Sequence, residues 1–370
     1  MRIFADLNID SYGNFISQGV CLSSIKETIN NSHLLIYFRN NRPYKIPLLE
    51  CMKADLFFSL HENEYIPLHA ISSHSNRLKI NNEFWEENKL YDADLVLSGN
   101  MIYENMLNAN EFIHLTPPSH TKSNAIKFLE QKGLDLTKWF ACIYWKESNY
   151  VYRNNSVTRT IQNYQPYLDA IDFIINELGG QVVRLGHFNS SRLTPRINLI
   201  DLTLHENITD IEVHAVNLAR FFVASASGPA TLGHAFGVPT LCCDSISLDG
   251  VWDTRHYMLT QSITNKSDGN ELSQKEAYDA GLLTNEIFFP KKCLINKNGV
   301  IESISSKGNY LLRKNNSKEI INGIKEIFQF TEKNKHLEKK VHIDKKINKI
   351  SLPFEQSHQV IQLTPFSKRI

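Results

Sequence analysis

The sequence predicts an α/β fold in which parallel strands alternate with helices in two domains. The length of 370 residues suits two domains better than one. Residues 139–145 form a continuous apolar run, which is typical of a strand covered on both faces. A repeated strand–helix rhythm follows this run and indicates a parallel sheet with helices on both sides. We therefore expect two Rossmann-like domains that face each other across a cleft.

The domain boundary is predicted at Pro117-Pro118-Ser119, because two successive prolines interrupt any helix or strand. This boundary gives a first domain at residues 1–120, a second at residues 121–330 and a basic tail at residues 331–370. The lysine-rich part of the tail is either a solvated helix or flexible segment, or a contact with a membrane surface or a partner.

The order of elements is clearest in the second domain. A helix at residues 164–178 carries Tyr167, Ile171 and Ile174 on one face, and Gly179-Gly180 ends it. Thr209 and Glu212 have the spacing of a capping box, which predicts a helix start. The predicted strands are residues 139–145, 181–185, 198–202, 220–224 and 239–243, and the predicted helices are 164–178, 209–219, 230–236 and 317–330.

The first domain is less regular, and the region around residues 72–92 is polar and poorly patterned. Its predicted strands are residues 2–5, 33–38, 55–60 and 94–98, and a helix is expected after the loop at 10–14. A further helix, at 122–132, follows the domain boundary.

The composition excludes some classes of function. The formal net charge of +1 argues against a general nucleic-acid-binding protein. The six cysteines are scattered without metal-ligand spacing, and we expect neither a metal nor a cofactor. The N-terminus lacks a signal pattern, and no stretch reaches the roughly 18 apolar residues of a membrane span. We expect a cytoplasmic protein, whose basic tail leaves open a contact with the inner face of the membrane.

The strongest local pattern is the segment from Ser225 to Thr231, which follows a predicted strand and begins a helix. Ser227 and Gly228 permit a tight turn, and Pro229 suits the first helical position. Backbone N–H groups at such a turn bind anions, and strand ends of open α/β sheets are where ligands bind. The segment is either a diphosphate site or an ordinary helix start.

Four further candidates lie at or after two successive predicted strands, at 181–185 and 198–202. Arg184 lies inside or at the end of a buried strand, where it would either form a salt bridge in the core or hold a phosphate with two hydrogen bonds. Gly186 allows close approach of a ligand, and His187 would contact a substrate or be exposed. Glu206 follows the strand at 198–202, where its carboxylate would accept ribose hydroxyls or remain solvated.

The remaining candidates lie in loops. Arg153, in the long loop at 146–162, would contact phosphates or an acidic acceptor, or be a surface charge. Asp10 and Asn14 lie in the first strand–helix connection, and Asp10 is either a catalytic base or a helix cap.

Several ordered blocks resemble a family of proteins from bacterial surface-polysaccharide clusters that are regarded as glycosyltransferases. The blocks include Gly179-Gly180-Gln181-Val182-Val183-Arg184-Leu185-Gly186, the run from Ala219 to Pro229, and Ala235-Phe236-Gly237-Val238-Pro239. The similarity covers roughly residues 139–330. It implies transfer of a sugar from a nucleotide-sugar donor to a glycan or lipid-linked glycan acceptor.

The Ser-Gly-Pro and Phe-Gly-Val-Pro blocks also resemble the donor site of bacterial heptosyltransferases, which have the two-domain GT-B fold. That resemblance implies a nucleotide diphosphate over residues 225–231, with the acceptor side in the first domain. The chain departs from those enzymes at Ala226 and Asn14, where they carry aspartates, and at Thr231, where they carry histidine. Their base and their heptose donor are therefore not carried over.

The combined reading is a metal-independent glycosyltransferase, with Asp10 and His187 as candidate catalytic residues. Two alternatives stay open at this point: a non-catalytic subunit that binds a nucleotide sugar or glycan, and a GT-B-type sugar-nucleotide epimerase.

Overall fold

The computed structural model describes residues 1–7, 11–39, 42–60, 94–99, 102, 111–147, 160–246, 255–280, 282, 293–295, 301–305, 308–333, 340–342 and 360–362. The chain divides into two compact units. One comprises Met1–Thr121 with Glu338–Ile343, and the other comprises Lys122–Leu337 with Asp344–Ile370.

The first unit is built on a parallel sheet of four described strands. They are β1 (Arg2–Asp6), β2 (His33–Arg39), β3 (Leu56–Leu60) and β4 (Leu95–Ser98). Their order is β3-β2-β1-β4, and every pairing is parallel. The helices α1 (Tyr12–Thr28) and α2 (Lys45–Glu50) follow β1 and β2, and a short strand β5 (Glu111–Ile113) precedes the boundary. The helix α3 (Ser119–Gln131) begins directly after the two prolines, as their missing N–H groups favour.

The second unit is built on a larger parallel sheet. Its first six strands are β6 (Phe140–Tyr144), β7 (Gln181–Arg184), β8 (Leu199–Asp201), β9 (Phe221–Ser225), β10 (Thr240–Ser245) and β11 (His256–Thr260). The helices between them are α4 (Gln165–Asn176), α5 (Thr209–Leu218) and α6 (Ala230–Phe236). One face of the sheet is covered by α4 and a later helix, whose isoleucines pack on Ala141, Ile143 and Val223. Both units therefore confirm the predicted α/β class with Rossmann-like parallel sheets.

An antiparallel sheet extends the second unit. It contains β12 (Ser262–Asn265), β13 (Cys293–Ile295), β14 (Ile301–Ser305) and β15 (Gly308–Arg313), in the order β12-β15-β14-β13. A short helix, α7 (Gln274–Asp279), lies between β12 and β13, and α8 (Ser317–Lys333) follows β15. Asn316 and Glu319 cap α8 reciprocally, because each side chain accepts the other's backbone N–H.

Two short strands of the predicted basic tail pair with earlier strands. The strand β16 (Lys340–His342) is antiparallel to β5, and β17 (Val360–Gln362) is antiparallel to β11. The larger sheet thus has the order β17-β11-β10-β9-β6-β7-β8 in the described residues.

The predicted capping box at Thr209 is wrong in detail. The helix α5 begins at Thr209, with Ile208 in the capping position and no side-chain cap. The predicted helix end at Gly179 agrees with the backbone, since Gly179 adopts a left-handed φ of 68° after α4, and Gly237 adopts the same φ after α6.

Candidate functional site

The strand order of the second unit defines where a ligand would bind. From the first strand, β6, the order runs through β7 to β8 on one side and through β9 and β10 to β11 on the other. The connections therefore leave β6 and β9 in opposite directions, which opens a crevice at their carboxyl ends. Ligands of open parallel sheets bind at this reversal of strand order.

Ser225 links the two strand ends at this crevice. Its side chain is fully buried, and its Oγ accepts a hydrogen bond from the backbone N–H of Lys146 at 2.9 Å. On the other side, the N–H of Ala226 donates to the carbonyl of Cys243 at 2.8 Å. The end of β9 is therefore fixed to both of its neighbours, which is the rigidity that a ligand site needs.

The turn after Ser225 differs from the predicted helix-terminal anion site. The N–H groups of Ala230, Thr231 and Leu232 donate to the carbonyls of residues 227, 228 and 229. The side chain of Thr231 also donates to the Gly228 carbonyl. Within the described residues, the N–H groups of this turn that have no such partner are those of Ser227 and Gly228. The anion-binding capacity of the turn therefore rests on these two groups.

Arg184 lies in the interior and is 1% exposed. Its guanidinium donates to Glu147 Oε1 at 2.8 Å and to Asp201 Oδ2 at 2.9 Å, and it stacks 4.3 Å from the ring centroid of Trp145. It also donates to the carbonyl of Ser191 at 2.9 Å. Arg184 therefore joins the segments that follow β6, β7 and β8.

The two carboxylates are also satisfied by other donors. Glu147 accepts from the indole N–H of Trp145 at 3.0 Å, and from the N–H and hydroxyl of Ser191 at 2.8 and 2.6 Å. Asp201 accepts from the N–H and hydroxyl of Thr203 at 3.1 and 2.7 Å. Such full pairing is what makes buried charges tolerable. Of the two roles predicted for Arg184, this geometry favours the core ion pair over a direct phosphate contact.

Polar side chains from the ends of β6 and β7 line a pocket beside the crevice. The lining residues are Tyr144, Trp145, Lys146, Glu147, His187, Asn189 and Ser190. His187 is exposed there, and its Nδ1 accepts from the N–H of Asn189 at 3.3 Å. The structure thus brings His187 together with Lys146, which adds a cationic group at the same edge.

Gly186 packs closely behind this pocket. A Cβ at this position would lie 2.8 Å from the methyl group of Thr203, so a side chain does not fit without a shift. Its backbone N–H bonds to the carboxylate of Glu212, whose pKa is raised to about 7 because burial disfavours the charged form.

The other predicted site residues are distributed as follows. Glu206 is exposed after β8, and Asn14 is exposed in the first turn of α1. His205, which precedes Glu206 in the chain, packs against the ring of Phe128, and burial lowers the pKa of the His205 imidazole. Asp10 and Arg153 lie outside the described residues.

Sequence reasoning missed the partners of Arg184. Asp201 ends β8 directly opposite Arg184 in the parallel register. The signal was present, because each of two predicted strands carries a charged residue next to its last position, but it required knowing that these strands are neighbours. Within the described ranges, no group of three or more His, Cys, Asp or Glu side chains is arranged to hold a metal ion.

The described part of the chain also contains no helix that is long and apolar enough to cross a membrane. No protein-family model matches the chain, and no curated protein matches it in sequence.

Similar solved structures exist at low identity. A glycosyl transferase family 9 protein from Veillonella parvula has a TM-score of 0.46 and 12% identity, over 77% of this chain and 90% of that chain. ADP-heptose LPS heptosyltransferase II from E. coli has a TM-score of 0.40 and 12% identity, over 65% of this chain and 84% of that one. E. coli heptosyltransferase WaaC with ADP-2-deoxy-2-fluoro heptose has a TM-score of 0.41 and 11% identity, over 76% of this chain and 98% of that chain. Heptosyltransferases, which the sequence resembles, are thus among the solved structures similar to this chain.

Proposed function

We propose that this protein is a glycosyltransferase that takes a nucleotide sugar as donor and binds its nucleotide on the second unit. The observation that carries the proposal is the reversal of strand order between β6 and β9, with Lys146 on one side and the Ser227–Gly228 turn on the other. Crevices of this kind are the usual nucleotide sites of open parallel sheets.

The diphosphate is best accommodated in the crevice between β6 and β9. The N–H groups of Ser227 and Gly228 supply donors from the β9 side, and Lys146 supplies positive charge from the β6 side. Donors fixed before the reaction stabilise the charge that develops on a departing nucleoside diphosphate. Ser225 joins the two strand ends, because its Oγ accepts a hydrogen bond from the N–H of Lys146.

We assign Glu206, which is exposed after β8, to the ribose hydroxyls of the nucleotide, because a carboxylate at this edge of the sheet can accept hydrogen bonds from both hydroxyls.

The acceptor hydroxyl needs a base only if the reaction inverts the anomeric centre. Asp10 and His187 are the two candidates. Nδ1 of His187 already accepts a hydrogen bond from the N–H of Asn189 at 3.3 Å, so we favour Asp10 as the base. Arg153 and Asn14 are retained as possible contacts to phosphate or acceptor.

We further propose that the acceptor is a glycan or lipid-linked glycan of a bacterial surface polysaccharide, as the sequence resemblance implies. The site's own cation and N–H groups face the leaving group, so we expect transfer to proceed without added metal. Addition of EDTA should leave the initial rate unchanged, and a rate restored only by a divalent cation would contradict this part.

The experiment that tests the proposal uses the full chain and a panel of sugar nucleotides, including ADP- and UDP-linked sugars, with and without glycan acceptors. Acceptor-dependent release of nucleoside diphosphate supports glycosyl transfer. Binding without turnover for every acceptor would instead indicate a non-catalytic binding subunit. Conversion of the donor sugar without an acceptor would indicate an epimerase.

A further inference from the structure

A closed ring of contacts surrounds the carboxyl end of β9. Lys146 bonds to Ser225, and Ala226 bonds to Cys243, the residue before Asp244. The hydroxyl of Tyr167 donates to Asp244 Oδ2 at 2.7 Å. The ring of Tyr167 packs 5.6 Å from the ring of Trp145, the residue before Lys146, which closes the circuit.

Asp244 has an unusual backbone conformation at this position. It ends the regular part of β10 with a φ of 55°, in the left-handed region that non-glycine residues rarely adopt, and it is 2% exposed. Asn315 holds it by two reciprocal hydrogen bonds of 2.6 and 2.7 Å, and Gln261 donates to its carbonyl at 2.9 Å. A strained residue that its surroundings hold this firmly is typical of functional regions.

Within this closed circuit of contacts, Tyr167 is the residue that comes from a helix. It lies in α4 and is 1% exposed. Burial and the nearby charge of Asp244 raise the pKa of its hydroxyl well above the usual range, so this group remains a donor. Without that donor, Asp244 would keep its bonds to Asn315, but the ends of β10 and β6 would be joined through β9 alone and no longer also through α4.

We propose that Tyr167 is a positioning residue of the donor site: by joining Asp244 to Trp145, it holds the turn of Ser227 and Gly228 in place without touching a ligand. The role in donor binding rests on the function proposed above. The effect on the turn itself does not, and the two can be measured separately.

The test compares Tyr167→Phe with Tyr257→Phe, and both remove one hydroxyl from a buried tyrosine of the second unit. Tyr257 lies in β11 and packs against Phe330, away from the ring around β9. Amide hydrogen exchange of the ligand-free chain is followed in peptides that cover residues 225–231. Loss of one buried hydrogen bond predicts exchange about fivefold to tenfold faster there in Tyr167→Phe, and unchanged exchange in Tyr257→Phe.

The second measurement is the dissociation constant for ADP and for UDP. We expect a similar fivefold to tenfold weakening for the better-bound nucleotide in Tyr167→Phe only. Unchanged exchange at residues 225–231, or equal changes in both variants, would overturn the positioning role. Faster local exchange in a chain that binds neither nucleotide would retain that role and reject the nucleotide site. Normal nucleotide affinity despite faster exchange would show that the turn does not bind the donor.

Discussion

Arg184 and Asp201 lie opposite each other on neighbouring parallel strands, with Nη1 of the guanidinium 2.9 Å from Oδ2 of the carboxylate. An arginine at a strand end that faces a ligand crevice is easily taken for a phosphate-binding group. Here its donors are directed into the interior, toward Asp201, Glu147 and the carbonyl of Ser191. In the proposed donor site, the positive charge is therefore assigned to a different residue, Lys146, which lines the pocket after β6.

Replacing Arg184 by alanine should mainly destabilise the protein. The substitution leaves Glu147 and Asp201 buried without their cation, and breaking a buried ion pair in this way costs about 3–5 kcal/mol. The free energy of unfolding in urea measures this loss. If the variant kept normal stability but lost nucleotide binding, this result would instead support the predicted contact between Arg184 and a phosphate.

Replacing Lys146 by glutamine should weaken nucleoside diphosphate binding about tenfold, or about 1.4 kcal/mol, because a charge-assisted contact is lost. Isothermal titration at low and moderate salt measures the effect, which should shrink as salt rises. The matched control is Lys138→Gln, at the amino end of β6, where the lysine is 62% exposed and paired with Asp135. Equal affinity losses in both variants would point to a general charge effect and not to a site.

Replacing Gly233 by alanine should destabilise the second unit by about 1–3 kcal/mol, because the site is overpacked. A Cβ there would lie 2.1 Å from Oγ1 of Thr240 and 3.0 Å from Phe222. The double variant with Thr240→Ala should recover part of the lost unfolding free energy. Purely additive effects of the two substitutions would contradict this packing.

The raised pKa of Glu212 predicts that the stability of the protein depends on pH. Its folded pKa of about 7 lies above the ordinary value of 4.5, so the native state binds a proton that the unfolded chain has released. This contribution is complete below about pH 4.5 and is lost as pH rises through 7, with a slope of up to about 1.4 kcal/mol per unit. Glu212→Gln should remove that slope between pH 5 and 8 in urea unfolding. Parallel curves for the two proteins would contradict the raised pKa.

The sequence identified the elements whose patterns are strong. The parallel strands and their helices were placed within a few residues, because continuous apolar runs and helical periodicity depend on burial by neighbours on both faces. The strands β12–β15 were not predicted, since their short polar segments, such as Ser262–Asn265, carry no such pattern.

The site was less predictable for a physical reason. The sequence drew attention to Arg184, His187 and the Ser225 turn, but the roles of these residues depend on which strands are adjacent. The partner of Arg184 comes from β8, and the acceptor of the Tyr167 hydroxyl comes from β10. No local pattern encodes that adjacency. The capping box failed for the same reason, because Glu212 bonds to Gly186 from another segment.

The pairing of β5 with β16 also has a consequence for synthesis. Ile113 is in register with Lys340, so the first unit obtains its last strand from near the far end of the chain. A ribosome that has made only the first unit releases β5 with an open edge, and such edges invite aggregation. Nascent chains that stall or end within the second unit should therefore depend on chaperones, although all four strands of the N-terminal parallel sheet have already been translated.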